Sequence, residues 1–433
     1  YVNFKSINSS VKYLSISALF TGIALGYFFT LIVILAKYKG YTEGTIGIIA
    51  ACFSLGLISA GFIVSNILDK IGLYKTMSLA ILIQTICVIL MFSFFNPLNL
   101  AINHFIMGVF GGMIWMTMDT WVNLVSDNNN RGKAIGFYNS AITIGFAMGP
   151  LFVGFFGVKG IIPITLAISL MFIRSPILIL IKKQVENVQI PKLDKKINFS
   201  FIKIAPFIFI AIFIGGINDA SFGALFPAFM INEFFSDKEI GYLFFIGLFA
   251  GVISQPFIGA LTDKINKRNF IIVLLIIHLI WPILLNYFIL NTPLLWLSVF
   301  IWGIASVSLY TVSLAYLGER IKVIELSIAT SVFIIVYESG EFLGPAIIGS
   351  VMDYTGNIGF IYSLIIFTLF SLLIPILENF SLIRFFSRKV LSSGFISSPK
   401  GKQYEFLIEP LLIPGLGSFS KPKNLFLLLA SST

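Results

Sequence analysis

Apolar residues run along the chain in twelve long blocks, each parted from the next by a short polar or glycine-containing turn. At about 20 apolar residues per spanning helix, the blocks predict helices near 13–36, 46–68, 74–95, 98–122, 132–155 and 160–181, then 204–231, 239–262, 269–290, 293–317, 326–349 and 357–379. The pattern predicts an all-α integral membrane protein with twelve transmembrane helices, because only helices satisfy every backbone polar group within one segment in lipid. Residues 1–181 form a first bundle of six and residues 204–380 a second. A lysine-rich linker, 182–203, joins them, and residues 381–433 form a basic tail rich in Ser, Gly and Pro that is expected to be poorly ordered.

The polar breaks repeat. Asp69-Lys70-Ile71-Gly72 follows the second block, and Asp263-Lys264-Ile265-Asn266 follows the eighth, 194 residues later. Gly145, Gly149, Pro150 and Gly154 in the fifth block are matched by Gly340, Gly344, Pro345 and Gly349 in the eleventh, displaced by 195. Gly22 pairs with Gly216, and Gly47 with Gly241, at 194. Several pairs at one offset indicate parallel repeats, an arrangement of transporters whose solute site lies between two six-helix bundles.

Composition agrees: 58% of residues are hydrophobic, 11% charged, and the mean hydropathy is +0.98. The net charge of +10 lies between apolar blocks rather than on a basic-aromatic surface, so nucleic acid is excluded and lipid and membrane orientation account for it. With both termini cytoplasmic, that face carries Lys70, Lys75, Arg131, Lys133, the linker lysines, Lys264, Lys267, Arg268, Arg320 and Lys322, and the other face only Lys37, Lys39, Lys159 and Lys238. Cys52 and Cys87 both fall inside apolar blocks and read as packing residues. The first block runs well past signal-peptide length with no small-residue cleavage site, so no secretion signal is expected.

Over roughly residues 10 to 380 the chain resembles the major facilitator superfamily. The resemblance rests on the turns after blocks two and eight, on Asn130-Arg131-Gly132 opening block five, on the Gly-x-x-x-Gly-Pro patterns and on Asp119-Thr120-Trp121 closing block four. Ser65 stands where the turn pattern has Gly, and Gly259 fills that place in the second copy. Within the superfamily the chain is most similar to small bacterial sugar-transporter-like and drug-efflux-like members. The resemblance implies two pseudo-symmetric bundles alternating access to a central cavity, in a monomer of the bacterial inner membrane. It also implies a cytoplasmic gate formed by Asp69, Lys75, Asp119, Arg131, Asp263 and Lys264, and a cavity lined by blocks one, four, seven and ten.

Charge inside a spanning block is the sharpest chemical hint, since an ionisable group at the bilayer centre costs about 2.5–3.5 kcal/mol on insertion scales. Asp219, beside Asn218, sits midway along block seven and is a candidate solute or proton site. Glu338 and Glu341 lie three apart on one helical face and read as a proton relay or as hydrogen-bonded structural groups. Arg174, near the inner end of block six, reads as snorkelling to the interface. Trp115, Trp302 and Tyr310 are candidate cavity aromatics, with packing as the plain alternative, and His104 and His278 read as interfacial and packing residues. The small residues at Gly145, Gly149, Gly340 and Gly344, with the bends at Pro150 and Pro345, let helices approach where the bundles meet.

No Gly-x-x-x-x-Gly-Lys loop, His/Cys cluster or Gly-x-Ser-x-Gly elbow is present, so ATP-driven pumping, metal chemistry and hydrolysis find no support, and no cofactor is expected. The expectation is a secondary transporter of a small solute, coupled to protons or another cation, with efflux slightly favoured over uptake. A non-transporting sensor on the same helices is the alternative.

Overall fold

The computed structural model describes residues 9–126, 131–180, 182, 199–262, 264–321 and 323–379. The first half contains α1 (Ser9–Tyr38), α2 (Glu43–Ser93), α3 (Pro97–Val125), α4 (Arg131–Phe156) and α5 (Ile161–Leu180). The second contains a single turn, α6 (Phe201–Ile204), then α7 (Pro206–Asn232), α8 (Asp237–Thr262), α9 (Lys267–Phe288), α10 (Thr292–Arg320), α11 (Val323–Thr355) and α12 (Ile358–Asn379). Among the described residues, eleven stretches have the length and apolarity of a membrane span, and the apolar part of α12, Ile358–Leu373, is the twelfth and shorter one.

Blocks two and three are two helices, as expected, and within α2 they meet without an intervening loop at Gly72, whose φ of 77° and ψ of 170° are not helical. The Asp-Lys-Ile-Gly turn therefore redirects the chain with a single non-helical residue. That conformation is essentially open to glycine alone, which explains the Gly within a charged break. The linker also ends in structure, since α6 occupies its last residues. The remainder of the linker from 183 to 198 and the tail from 380 to 433 lie outside the described residues.

Local signals mark the repeat again at the helix starts. Asn96 caps α3, its side chain accepting from the Asn99 amide at 3.0 Å, and Asn291 caps α10, accepting from the Leu294 amide at 3.4 Å. Each cap is followed by a proline in the first turn, where a missing N–H is harmless.

Within each bundle the small residues bring one pair of backbones together. Gly22 and Gly145 join α1 to α4, facing the Ile142 and Leu19 carbonyls, and Gly216 and Gly340 join α7 to α11 in the same way, facing the Tyr337 and Phe213 carbonyls. Gly149 lies against Gly26 and Tyr27 on α1, and Gly344 against Ile217 and Ser221 on α7. These four block-five and block-eleven glycines thus pack inside their own bundles rather than between bundles. The bundles meet at the adjoining prolines: Gly47 on α2 faces the Pro345 carbonyl on α11, and Gly241 on α8 lies 2.6 Å in Cβ position from the Pro150 carbonyl on α4. The two contacts, α2 with α11 and α8 with α4, are mates under the repeat. A side chain has no room at either.

Gly72→Ala should destabilise the folded protein by about 1–3 kcal/mol, the cost of forcing a β-carbon into that backbone region. Thermal unfolding in detergent measures it, and an unchanged midpoint would contradict the break as the reason for the glycine. Gly47→Val and Gly241→Val should each weaken the bundle contact by about 1–3 kcal/mol through overpacking, read in the same assay.

Candidate functional site

At mid-depth of the second bundle, α7, α10 and α11 converge on one carboxylate. Asp219 accepts a hydrogen bond from the Ser306 hydroxyl of α10 and another, at 2.9 Å, from the Tyr337 hydroxyl of α11. Asn218, next to it, turns away, donating to the Ile214 carbonyl at 2.9 Å. One turn along α11 from Tyr337, Glu341 lies beside Tyr337, beside Glu338 and beside Ser54 of the first bundle's α2. The cluster therefore sits on the boundary between bundles. Glu338 presents a shielded Oε2 with no hydrogen-bond partner among the described residues.

Aromatic rings flank these acids. Tyr310 on α10 packs edge-on against Tyr337, with centroids 5.2 Å apart, and against Phe333 at the same separation. It stands within electrostatic reach of Glu338 and Glu341 and, across the boundary, of Asp119 on α3. Asp119 lies beside Tyr138 and Trp115, and Trp115, one turn earlier on α3, is 48% exposed. Trp302 is different: it is only 3% exposed, stacked on Phe222 with centroids 3.6 Å apart and leaning on Trp281. Its ring is fully used in the core of the second bundle.

Of the expected gate residues, Asp69, Lys75 and Lys264 are exposed, with no ion pair to them among the described residues. The Arg131 side chain and the whole of Asp263 lie outside the described residues. Asp119, in the last two turns of α3, lies beside Tyr138 and Trp115. On the same face Lys267 pairs with Glu319 at 2.6 Å, inside the second bundle.

Arg174 does not snorkel. It is completely buried in the first bundle, donating from Nη1 to Gln84 Oε1 at 2.8 Å and from Nε to the Met171 carbonyl at 3.1 Å. Gln84 passes the bond on to the Met107 carbonyl at 3.0 Å. The planar guanidinium finds acceptors inside, so the side chain has no need to reach for the interface.

At the end opposite the linker, polar groups that the sequence reading passed over tie the bundles together. Glu43, at the start of α2, accepts from Lys37 at 2.5 Å and from Asn232 of α7 at 2.6 Å. Asn232 and Glu233 both engage Asn357, at 2.8 Å and 2.6 Å. Asp353 at the end of α11 accepts from the Thr42 hydroxyl and the Gly44 amide, both at 2.9 Å, and Tyr38 bonds Asp237. These bonds join Tyr38, Thr42, Glu43 and Gly44 of the first bundle to Asp237, Asp353 and Asn232 of the second. Only the loop positions themselves signalled it: charged and amide residues flank both the first and the fourth of the turns on this face.

A profile of the Major Facilitator Superfamily matches residues 14–207 and 208–433, dividing the chain where the second bundle begins. Curated relatives in Escherichia coli are described as "Uncharacterized MFS-type transporter YcaD"; one is 24% identical over 347 residues, covering 78% of this chain and 88% of the relative. Among solved structures the chain is similar to the crystal structure of nucleoside transporter NupG, with TM-score 0.69 and 14% identity over 84% of this chain and 97% of that one. It is also similar to a bacterial homologue of the human lysosomal transporter Spinster in an inward-facing and occupied conformation, with TM-score 0.68 and 12% identity over 84% of this chain and 94% of that one. At such identities the likeness to solved structures concerns the fold.

Asp353→Ala removes the acceptor of two inter-bundle bonds, and should loosen that end without unfolding the bundles. Spin labels on the exposed positions of Lys39 and Lys238 should then show a longer, broader distance distribution than the parent. An identical distribution in the two proteins would deny the latch.

Proposed function

The chain belongs to the Major Facilitator Superfamily, and on that premise we propose that it is a proton-coupled secondary transporter of a small solute, working by alternating access and favouring efflux. That it is a multi-span membrane transporter, and not an enzyme, follows from the family and from the relatives and neighbours named as transporters. The observation that supports proton coupling is the set Asp219, Glu338 and Glu341 at mid-depth, touching both bundles through Ser54. Adjacent carboxylates repel when both are ionised; a proton or a cation relieves this, and its arrival changes the free energy of the boundary between bundles. A ligand drives a conformational change only through such a difference between states.

The placement is in a bacterial inner membrane with both termini in the cytoplasm, supported by the concentration of Lys and Arg on the linker face. On that orientation the Glu43, Asn232 and Asp353 bonds close the periplasmic end, so the conformation faces inward. Opening to the outside requires those bonds to break while the linker-face residues Asp69, Lys75, Asp119, Arg131, Asp263 and Lys264 come together as the opposing gate. Gly47 with Pro345 and Gly241 with Pro150 are then the surfaces on which the bundles roll.

In proteoliposomes, solute flux should rise with an imposed pH gradient and collapse when an ionophore dissipates it; equal flux under both conditions rules out proton coupling. Asp219→Asn should reduce gradient-driven flux about tenfold or more, in the range of an essential proton carrier, while the melting temperature stays close to the parent value. Parental flux in that variant removes Asp219 from the coupling site.

A further inference from the structure

The same boundary carries information about the solute. Three carboxylates, Asp219, Glu338 and Glu341, are gathered there, and no Lys, Arg or His side chain among the described residues pairs with them. The basic groups that do lie at membrane depth are engaged elsewhere: Arg174 with Gln84, His104 with the Leu100 carbonyl, His278 with the Leu274 carbonyl. The two oxygens of Asp219 are already taken by Ser306 and Tyr337. Glu338 Oε2 is not; it is shut off from solvent and has no donor, where buried acceptors nearly always have one.

The surroundings narrow the class of donor. No three His, Cys, Asp or Glu side chains among the described residues are placed to hold a metal ion, which argues against a compact divalent cation. Tyr310 and Tyr337 stand at 5.2 Å and nearly perpendicular beside these acids, and Trp115, half exposed, stands beside Asp119 on the facing bundle. An aromatic face attracts a cation within about 6 Å and at the same time accepts apolar surface. An anion placed there would meet like charge, and a neutral solute would bind only with a proton held between the acids.

We infer that the transported solute is a protonated organic amine on an apolar body, its ammonium donating to Glu338 and Glu341 and its body lying against the rings of Tyr310 and Tyr337, on the side that faces the first bundle. This rests on the transporter reading of the same site and adds the substrate class to it.

Three probes with one body and different charge test the inference: 4-phenylbutylamine, 4-phenylbutanol and 4-phenylbutyrate, titrated calorimetrically into the purified full chain in nanodiscs. The amine should bind about tenfold or more tighter than the alcohol, the scale of one charge-assisted hydrogen bond, and the carboxylate weakest. Glu338→Gln should abolish the preference of amine over alcohol while leaving the affinity for the alcohol within about twofold and the melting temperature unchanged. If that variant does not fold, Glu341→Gln and the ranking of the three probes on the parent protein decide. Binding of the alcohol or carboxylate as tight as the amine, no amine binding at millimolar concentration, or an undiminished preference in a folded Gln variant each overturns the inference. Amine flux into proteoliposomes separates the two readings. Binding without flux leaves the amine site standing and removes transport; flux of another solute with the amine ranking last does the opposite.

Discussion

Inside a bilayer an apolar side chain gains little by leaving lipid for a neighbouring helix, so close backbone approach has to supply what burial from water supplies elsewhere. This constraint governs the whole molecule. Glycines at 22, 145, 216 and 340 bring α1 onto α4 and α7 onto α11, and glycines at 47 and 241 bring each bundle onto a proline carbonyl of the other. Contacts so short offer dispersion energy only over a narrow range of positions. The pairs inside a bundle and the pairs between bundles are therefore built in the same way, glycine against backbone carbonyl. Directional bonds are added at the far end, through Glu43 and Asp353, and in the middle, through the acidic cluster.

Much of this was visible in the linear pattern for a physical reason. A backbone contact demands the absence of a side chain, so it leaves glycine at a constant spacing, and the offset of 194 to 195 exposed it. Charge inside apolar blocks is costly, so Asp219, Glu338 and Glu341 stood out without any knowledge of their neighbours. What hydropathy does not carry is rotation about each helix axis. Trp302 and Trp115 occupy comparable blocks, yet one is stacked into the core and the other stands beside Asp119. Arg174 faces inward to Gln84, a residue that no periodicity connects with it. The partners of Asp219 were missed for the same reason, since Ser306 and Tyr337 are about 87 and 118 residues distant and ordinary in composition. The latch escaped because turn residues were weighed for their charge and not for their reach across the boundary.

The break at Gly72 shows the converse case, where a local rule explains more than the long-range pattern. One residue with positive φ is enough to end the second span and start the third within the charged turn. At the corresponding place in the second half Asn266 caps a separate helix, α9. The halves are alike in packing and unlike in this joint.

That difference extends to the chemistry. Under the repeat, Asp219 corresponds to Leu25, Glu338 to Thr143 and Glu341 to Phe146, so none of the three acids has an acidic mate. Duplication preserved the bearings and left the payload on one side only. The packing repeats across the two halves, and the cluster of three acids does not.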